Sequence, residues 1–181
     1  ADSMFNFNLS VKIYRSIVVT NIINIISNDN NEAKDFVVLA SSTKLLRNID
    51  ILYRQKTNEQ TEITFISNEV LERLKQIHLV TDEKVANWKF NRDFEALERT
   101  RKQLFTTDKR CLKISTIQSF KGWESPSVIV ILESDLTLHN TTFRPMSPQT
   151  IYTAITRARE NLYIINIGND TYHNFFYNQT V

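Results

Sequence analysis

Residues 151–165 read IYTAITRARENLYII and set Arg157 and Arg159 immediately before a β-branched, strand-like run. A similar run, SVIVIL at 127–132, follows the polar-aromatic segment TIQSFKGWE at 116–124. A guanidinium is a planar, permanently charged fork whose geometry matches phosphate. It reads phosphate well only when a rigid scaffold holds it at an edge, and the sequence supplies such an edge twice. The expectation is a nucleotide-driven machine, and only part of one.

Upstream lie FVVLA at 36–40, Ile63–Ile66 and LKIST at 112–116. FVVLA is a short continuous apolar run, the pattern of a strand covered on both faces, Ile63–Ile66 repeats the short strand signal, and LKIST reads as a strand ending on hydroxyl residues. Between them run helical patterns. After Ser16, a cap oxygen, apolar residues recur at helical spacing to about Ile26. Ser41, Ser42 and Thr43 precede Leu45, Leu46, Ile49 and Leu52, and Asn68 with Glu69 opens a helix holding Val70, Leu71 and Leu74. Charged helix-like sequence spans Asn91–Phe105, while 28–31 and 134–148 read as exposed loops. Strands alternating with helices predict an α/β fold: a mostly parallel sheet with helices on both faces, binding ligands outside the carboxyl ends of the strands.

With 181 residues, 41% hydrophobic and 10% aromatic, the chain has enough apolar surface for one sizeable core. A formal charge of +2 is too small to recruit nucleic acid through bulk electrostatics, so any such contact must be local. The single cysteine, Cys111, rules out an internal disulfide framework, and its apolar neighbours Leu112 and Ile114 favour a plain buried thiol. Neither a membrane span nor a secretion signal is indicated, which makes a cytoplasmic, reducing compartment the expectation. His78, His139 and His173 lack metal-ligand spacing, so no metal site is expected. Ser115 and Ser119 lack the Gly-x-Ser-x-Gly elbow of a nucleophile. Among the aromatic residues, Trp123 is the better placed to stack on a base, while Trp88, Phe90, Phe94 and Phe105 read as core.

Three segments, in order, resemble conserved motifs of the second RecA-like domain of superfamily 1A helicases, the UvrD, Rep and PcrA group. LSVKIYRS at 9–16 is similar to motif IV, ISTIQSFKGWE at 114–124 to motif V, and IYTAITRAR at 151–159 to motif VI. The resemblance implies a RecA-like three-layer α/β/α domain of the P-loop NTPase class over residues 1–181, the second motor domain of an ATP-dependent DNA helicase. By that resemblance Arg157 is an arginine finger reaching the γ-phosphate of ATP held by the partner RecA-like domain. Arg15 is a second γ-phosphate contact. Glu124 accepts a hydrogen bond from the nucleotide sugar, and Gly122 permits close backbone approach. Lys121 has two readings, a contact with nucleotide phosphate or DNA and a solvent-facing lysine. Thr116 and Gln118 fall where the family contacts single-stranded DNA. Gln118 replaces a frequent histidine and cannot gain a charge, so its phosphate contact is weaker and independent of pH. Thr156 is expected to brace the Arg157 turn, and Tyr152 to fill the core.

Only Gly122 and Gly168 occur in the chain, so no GxxxxGKS/T loop exists to cradle phosphates, and no apolar strand ends in paired acids for magnesium. ATP with Mg2+ is therefore expected on an absent N-terminal RecA-like domain of the same protein, with none held by this domain alone. The isolated chain is expected to be inactive. The large insertion that the family often carries between motifs IV and V is absent or reduced here. A non-catalytic RecA-like module that binds nucleic acid or protein is the alternative reading.

Overall fold

FVVLA forms β1 (Phe36–Ala40), and every one of its residues is buried. In the computed structural model β1 is the central strand of a five-stranded sheet. The structure describes residues 2–78, 83–133 and 146–177, with side chains over 14–78, 87–133 and 146–176. The other strands are β2 (Thr61–Ile63), β3 (Leu112–Thr116), β4 (Ser125–Glu133) and β5 (Ala158–Ile167), in the order β2-β3-β1-β4-β5. All neighbours pair in parallel, with Val38 opposite both Ile114 and Ile129 and Val130 opposite Ile164. Every strand thus starts at one edge of the molecule and ends at the other.

The pleat sends alternate residues to opposite faces. Phe36, Val38 and Ala40 join Ile129 and Ile131 in a core covered by α1 (Asp2–Asn28) and α2 (Thr43–Thr57), through Val18, Val19, Ile22, Leu46, Ile49 and Tyr53. Val37 and Leu39 join Val128, Val130 and Leu132 on the other face, covered by Phe105, Phe120 and α5 (Pro148–Ile155), with α6 (Asp170–Tyr177) packed beside it. Burying each of these large side chains contributes about 1.5–3 kcal/mol. The expected three-layer α/β/α architecture is therefore present. Two further helices, α3 (Asn68–Ile77) and α4 (Glu83–Leu104), lie between β2 and β3.

Several boundaries differ from the sequence reading. Ser16 caps nothing, because α1 already begins at Asp2 and no Pro or Gly interrupts residues 2–28. The second strand covers Thr61–Ile63 instead of Ile63–Ile66. There the chain leaves the ladder at Thr64, whose hydroxyl bonds Ser115 Oγ at 2.9 Å, and residues 64–66 remain buried without strand pairing. Ser42 and Ser67 are the caps of α2 and α3, accepting from Leu45 N and Val70 N. The expected loop at 134–148 lies mostly outside the described residues, but Met146 is buried and Pro148 opens α5. Cys111 is only half-buried, and that burial pushes its thiol pKa up.

Glu133 joins three of these elements. It closes β4 at 8% exposure, and its Oε1 accepts from Ser41 N at 2.9 Å and Ser42 N at 2.7 Å. Its own carbonyl accepts from Asn169 Nδ2 at 2.9 Å. Burial raises the carboxyl above the usual glutamate range, and the two amides only partly oppose the shift. Because the folded value is the higher one, the protonated form favours folding. That contribution is complete below the unfolded glutamate pKa and is lost as pH rises through the folded value. Relative to wild type, Glu133→Gln should flatten the fall in stability across this acidic window, as measured by urea unfolding at a series of pH values. Glu133→Ala, which leaves two buried amides unpaired, should lower stability by about 1–3 kcal/mol.

Candidate functional site

At the strand-end edge a groove of about 860 Å³ opens between the tips of β1 and β3 and the helices α4 and α5. Thr116 and Gln118 both line it, together with Ser41, Thr64, Ser119 and Thr150. Local bonding fixes this polar lining. Thr116 Oγ1 donates to Ser119 Oγ at 2.8 Å and accepts from Ser119 N at 3.1 Å, which folds the chain into a turn just past β3. Gln118 is exposed beside it. Ser147 caps α5, accepting from Thr150 N at 3.2 Å, and Pro148 supplies the preset φ of a first helical residue. Ser41 also borders the groove, with its Oγ buried and without a hydrogen-bond partner.

The second cluster stands at the opposite, strand-start edge. Residues 117–124 run from the end of β3 back to the start of β4, anchored by the buried Ile117 and Phe120. Gly122 lies in this segment with φ +94°, the left-handed region that favours glycine, and the space around it is open. Lys121 and Glu124 are exposed on either side. Arg157 meets the same segment from α5: Ser125 N donates to Arg157 O at 3.0 Å, and Arg157 Nη1 donates to Trp123 O at 3.4 Å. Its guanidinium also donates to Thr153 O at 3.1 Å and Thr156 Oγ1 at 3.1 Å. All of these acceptors are neutral, and among the described residues no carboxylate pairs with Arg157. The guanidinium is thereby aimed while its charge stays uncompensated.

Arg15 approaches from the α1–α2 side. It lies within α1 rather than at a helix start, and burial lowers its pKa. Lys56, in the last turn of α2, bonds Thr20 Oγ1 at 2.8 Å and Ser16 O at 3.5 Å. Since α2 runs from the end of β1 to the start of β2, these bonds set the Arg15 region of α1 toward the strand-start edge. Among the described residues Arg15 has neither a hydrogen-bond nor an ion-pair partner, and no contact joins it to Arg157.

Three expectations need correction and one is met. Trp88, expected in the core, is 62% exposed on α4, with the Arg92 guanidinium over its ring. Tyr152 is 67% exposed and does not fill the core, because α5 turns Ile151 and Ala154 inward instead. Trp123 packs edge-on against Phe105, with centroids 5.9 Å apart, and is not a wall of the groove. Thr156 does brace the arginine. Sequence reading missed Ser41, Thr64, Lys102 and Glu133. Only Glu133 had a readable signal, an acid ending a continuous apolar run. The other three reach the edge through tertiary placement.

A parallel RecA-like sheet with this polar strand-end groove has a counterpart among known families. Residues 27–166 match the viral superfamily 1 RNA helicase core domain. The chain belongs to this helicase-core family. The match covers 114–124 and 151–159 but begins after Arg15, so 9–16 rests on resemblance alone. It supports a superfamily 1 helicase core without singling out the UvrD, Rep and PcrA branch. No curated protein matches the chain significantly. No helix among the described residues is long and apolar enough to cross a membrane.

Gly122 yields a direct test of this helicase core's local geometry. Gly122→Ala should meet no steric clash yet cost about 1–2 kcal/mol of stability, because any Cβ is strained at this φ. Chemical denaturation checks it, and an unchanged midpoint would show that the segment relaxes freely.

Proposed function

We propose that the chain is the second RecA-like motor domain of an ATP-dependent helicase or translocase. Arg157 and Arg15 serve the γ-phosphate of ATP held with Mg2+ by an N-terminal RecA-like domain of the same protein. Glu124, Gly122 and Lys121 face the sugar and phosphates of that nucleotide, and Thr116 and Gln118 contact a single strand in the groove. One observation carries this reading: Arg157 is oriented by neutral oxygens alone at the strand-start edge. A charge held out of water is usually compensated by a paired carboxylate. An arginine kept in a fixed direction without one is suited to an anion that arrives from outside, and it stabilises charge developing on a transferred phosphoryl group.

The resemblance to the UvrD, Rep and PcrA group favours DNA as the strand. The matched family is described by RNA, which favours an RNA strand. The groove's hydroxyl-rich lining suits the sugar–phosphate backbone of either.

With the N-terminal motor domain supplied, Arg157→Ala should lower strand-stimulated ATP hydrolysis by about three to five powers of ten. Turnover equal to wild type removes the finger role and returns the domain to a binding module. The chain alone should hydrolyse no ATP above background, since it contains no GxxxxGKS/T loop. Stimulation by oligothymidylate against oligouridylate in the same assay decides between DNA and RNA.

A further inference from the structure

We propose that Lys102 of α4 is the phosphate-engaging cation of the groove, a contact lying outside the three segments that carry the helicase resemblance. The proposal rests on the groove being the strand-binding track. Among the described residues lining the groove, Lys102 is the only cation and Glu98 the only anion. The remaining polar groups are hydroxyls and the neutral amide of Gln118, which can donate hydrogen bonds to phosphate but cannot neutralise its charge or release its counterions. Single-strand tracks rely on positive charge along the backbone, and here one side chain supplies it within the lining.

Lys102 is also free to change partners. Its ammonium stands 3.9 Å from Glu98 Oε2, one helical turn back, with the two side chains 50% and 27% exposed. An ion pair this long and this solvated holds its lysine weakly. Glu98 has a second cation near it in Arg47, which feels its charge. Arg47 Nε is fixed to Ile66 O at 2.7 Å, while its Nη2 is buried without a hydrogen-bond partner. Glu98 therefore keeps electrostatic company when Lys102 swings to a phosphate. Arg99 and Arg101, exposed on the same stretch of α4 and without ion pairs among the described residues, add to the positive potential there.

Fluorescence anisotropy of the chain with labelled oligothymidylate and oligouridylate, titrated across salt concentration, tests the assignment. Lys102→Ala should weaken binding about fivefold near 0.1 M salt and make the slope of log affinity against log salt shallower by about 0.7, the signature of one lost phosphate contact on a single strand. Lys102→Arg should restore both, and Glu98→Gln should bind at least as tightly as wild type. Gln118→Ala reports on the groove independently. If Gln118→Ala weakens binding while Lys102→Ala leaves affinity and slope unchanged, the lysine assignment is overturned and the groove reading stands. A weaker Lys102→Ala with an unchanged slope also overturns it, since a merely structural role does not move the counterion term. If wild type binds neither strand, both readings fall.

Discussion

The carboxylate of Glu133 ties the strand-end edge together. It sits at the tip of β4, binds the two amides with which the chain turns from β1 into α2, and lies beside the Asn169 amide that holds the β5–α6 connection. A helix entry just past a buried parallel strand is a natural anion site, because its amides converge and the helix dipole adds to them. In this chain an internal carboxylate occupies that position. The consequence is structural and chemical together: the strand tips are fixed to one another, and the amides suited to cradle a phosphate are already engaged. The lack of a glycine-rich loop in the sequence and the presence of Glu133 in the fold describe the same condition.

The two candidate clusters use different physics. At the strand ends, hydroxyls and an amide line a groove whose only described cation is a loosely held lysine, an arrangement suited to a mobile, sequence-independent backbone contact. At the strand starts, an arginine is fixed through several hydrogen bonds to neutral oxygens, an arrangement suited to one defined charge in one defined place. The small net charge of the chain fits this division, since neither cluster depends on a broad basic face.

Much of the fold was legible because its strands are buried on both faces, and burial on both faces leaves continuous apolar runs such as FVVLA and SVIVIL that have few alternative readings. Boundaries set by polar side chains were less visible. Ser16 has the chemistry of a cap, yet it lies inside a helix that had no reason to start there. Thr64, just past the end of β2, is held by a bond to Ser115 of β3, far away in sequence. The arginine edge was legible in the order of segments, while its aim depended on carbonyls of Thr153 and Trp123 that no sequence pattern announces. Lys102 was unreadable for a similar reason, because a lysine on a charged helix looks solvated until tertiary packing sets that helix beside a groove.

The 117–124 segment begins in the turn of Thr116 and Ser119 at the groove and ends against the Arg157 carbonyl at the opposite edge. Its turns are closed by Phe120 N to Thr116 O at 3.1 Å and Trp123 N to Phe120 O at 3.0 Å, and Ile117 and Phe120 pin it into the core. One short stretch of chain therefore borders both clusters, its first turn lining the groove and its last residues meeting the backbone that carries the arginine, so neither cluster can be rebuilt without the other feeling the change in chain path.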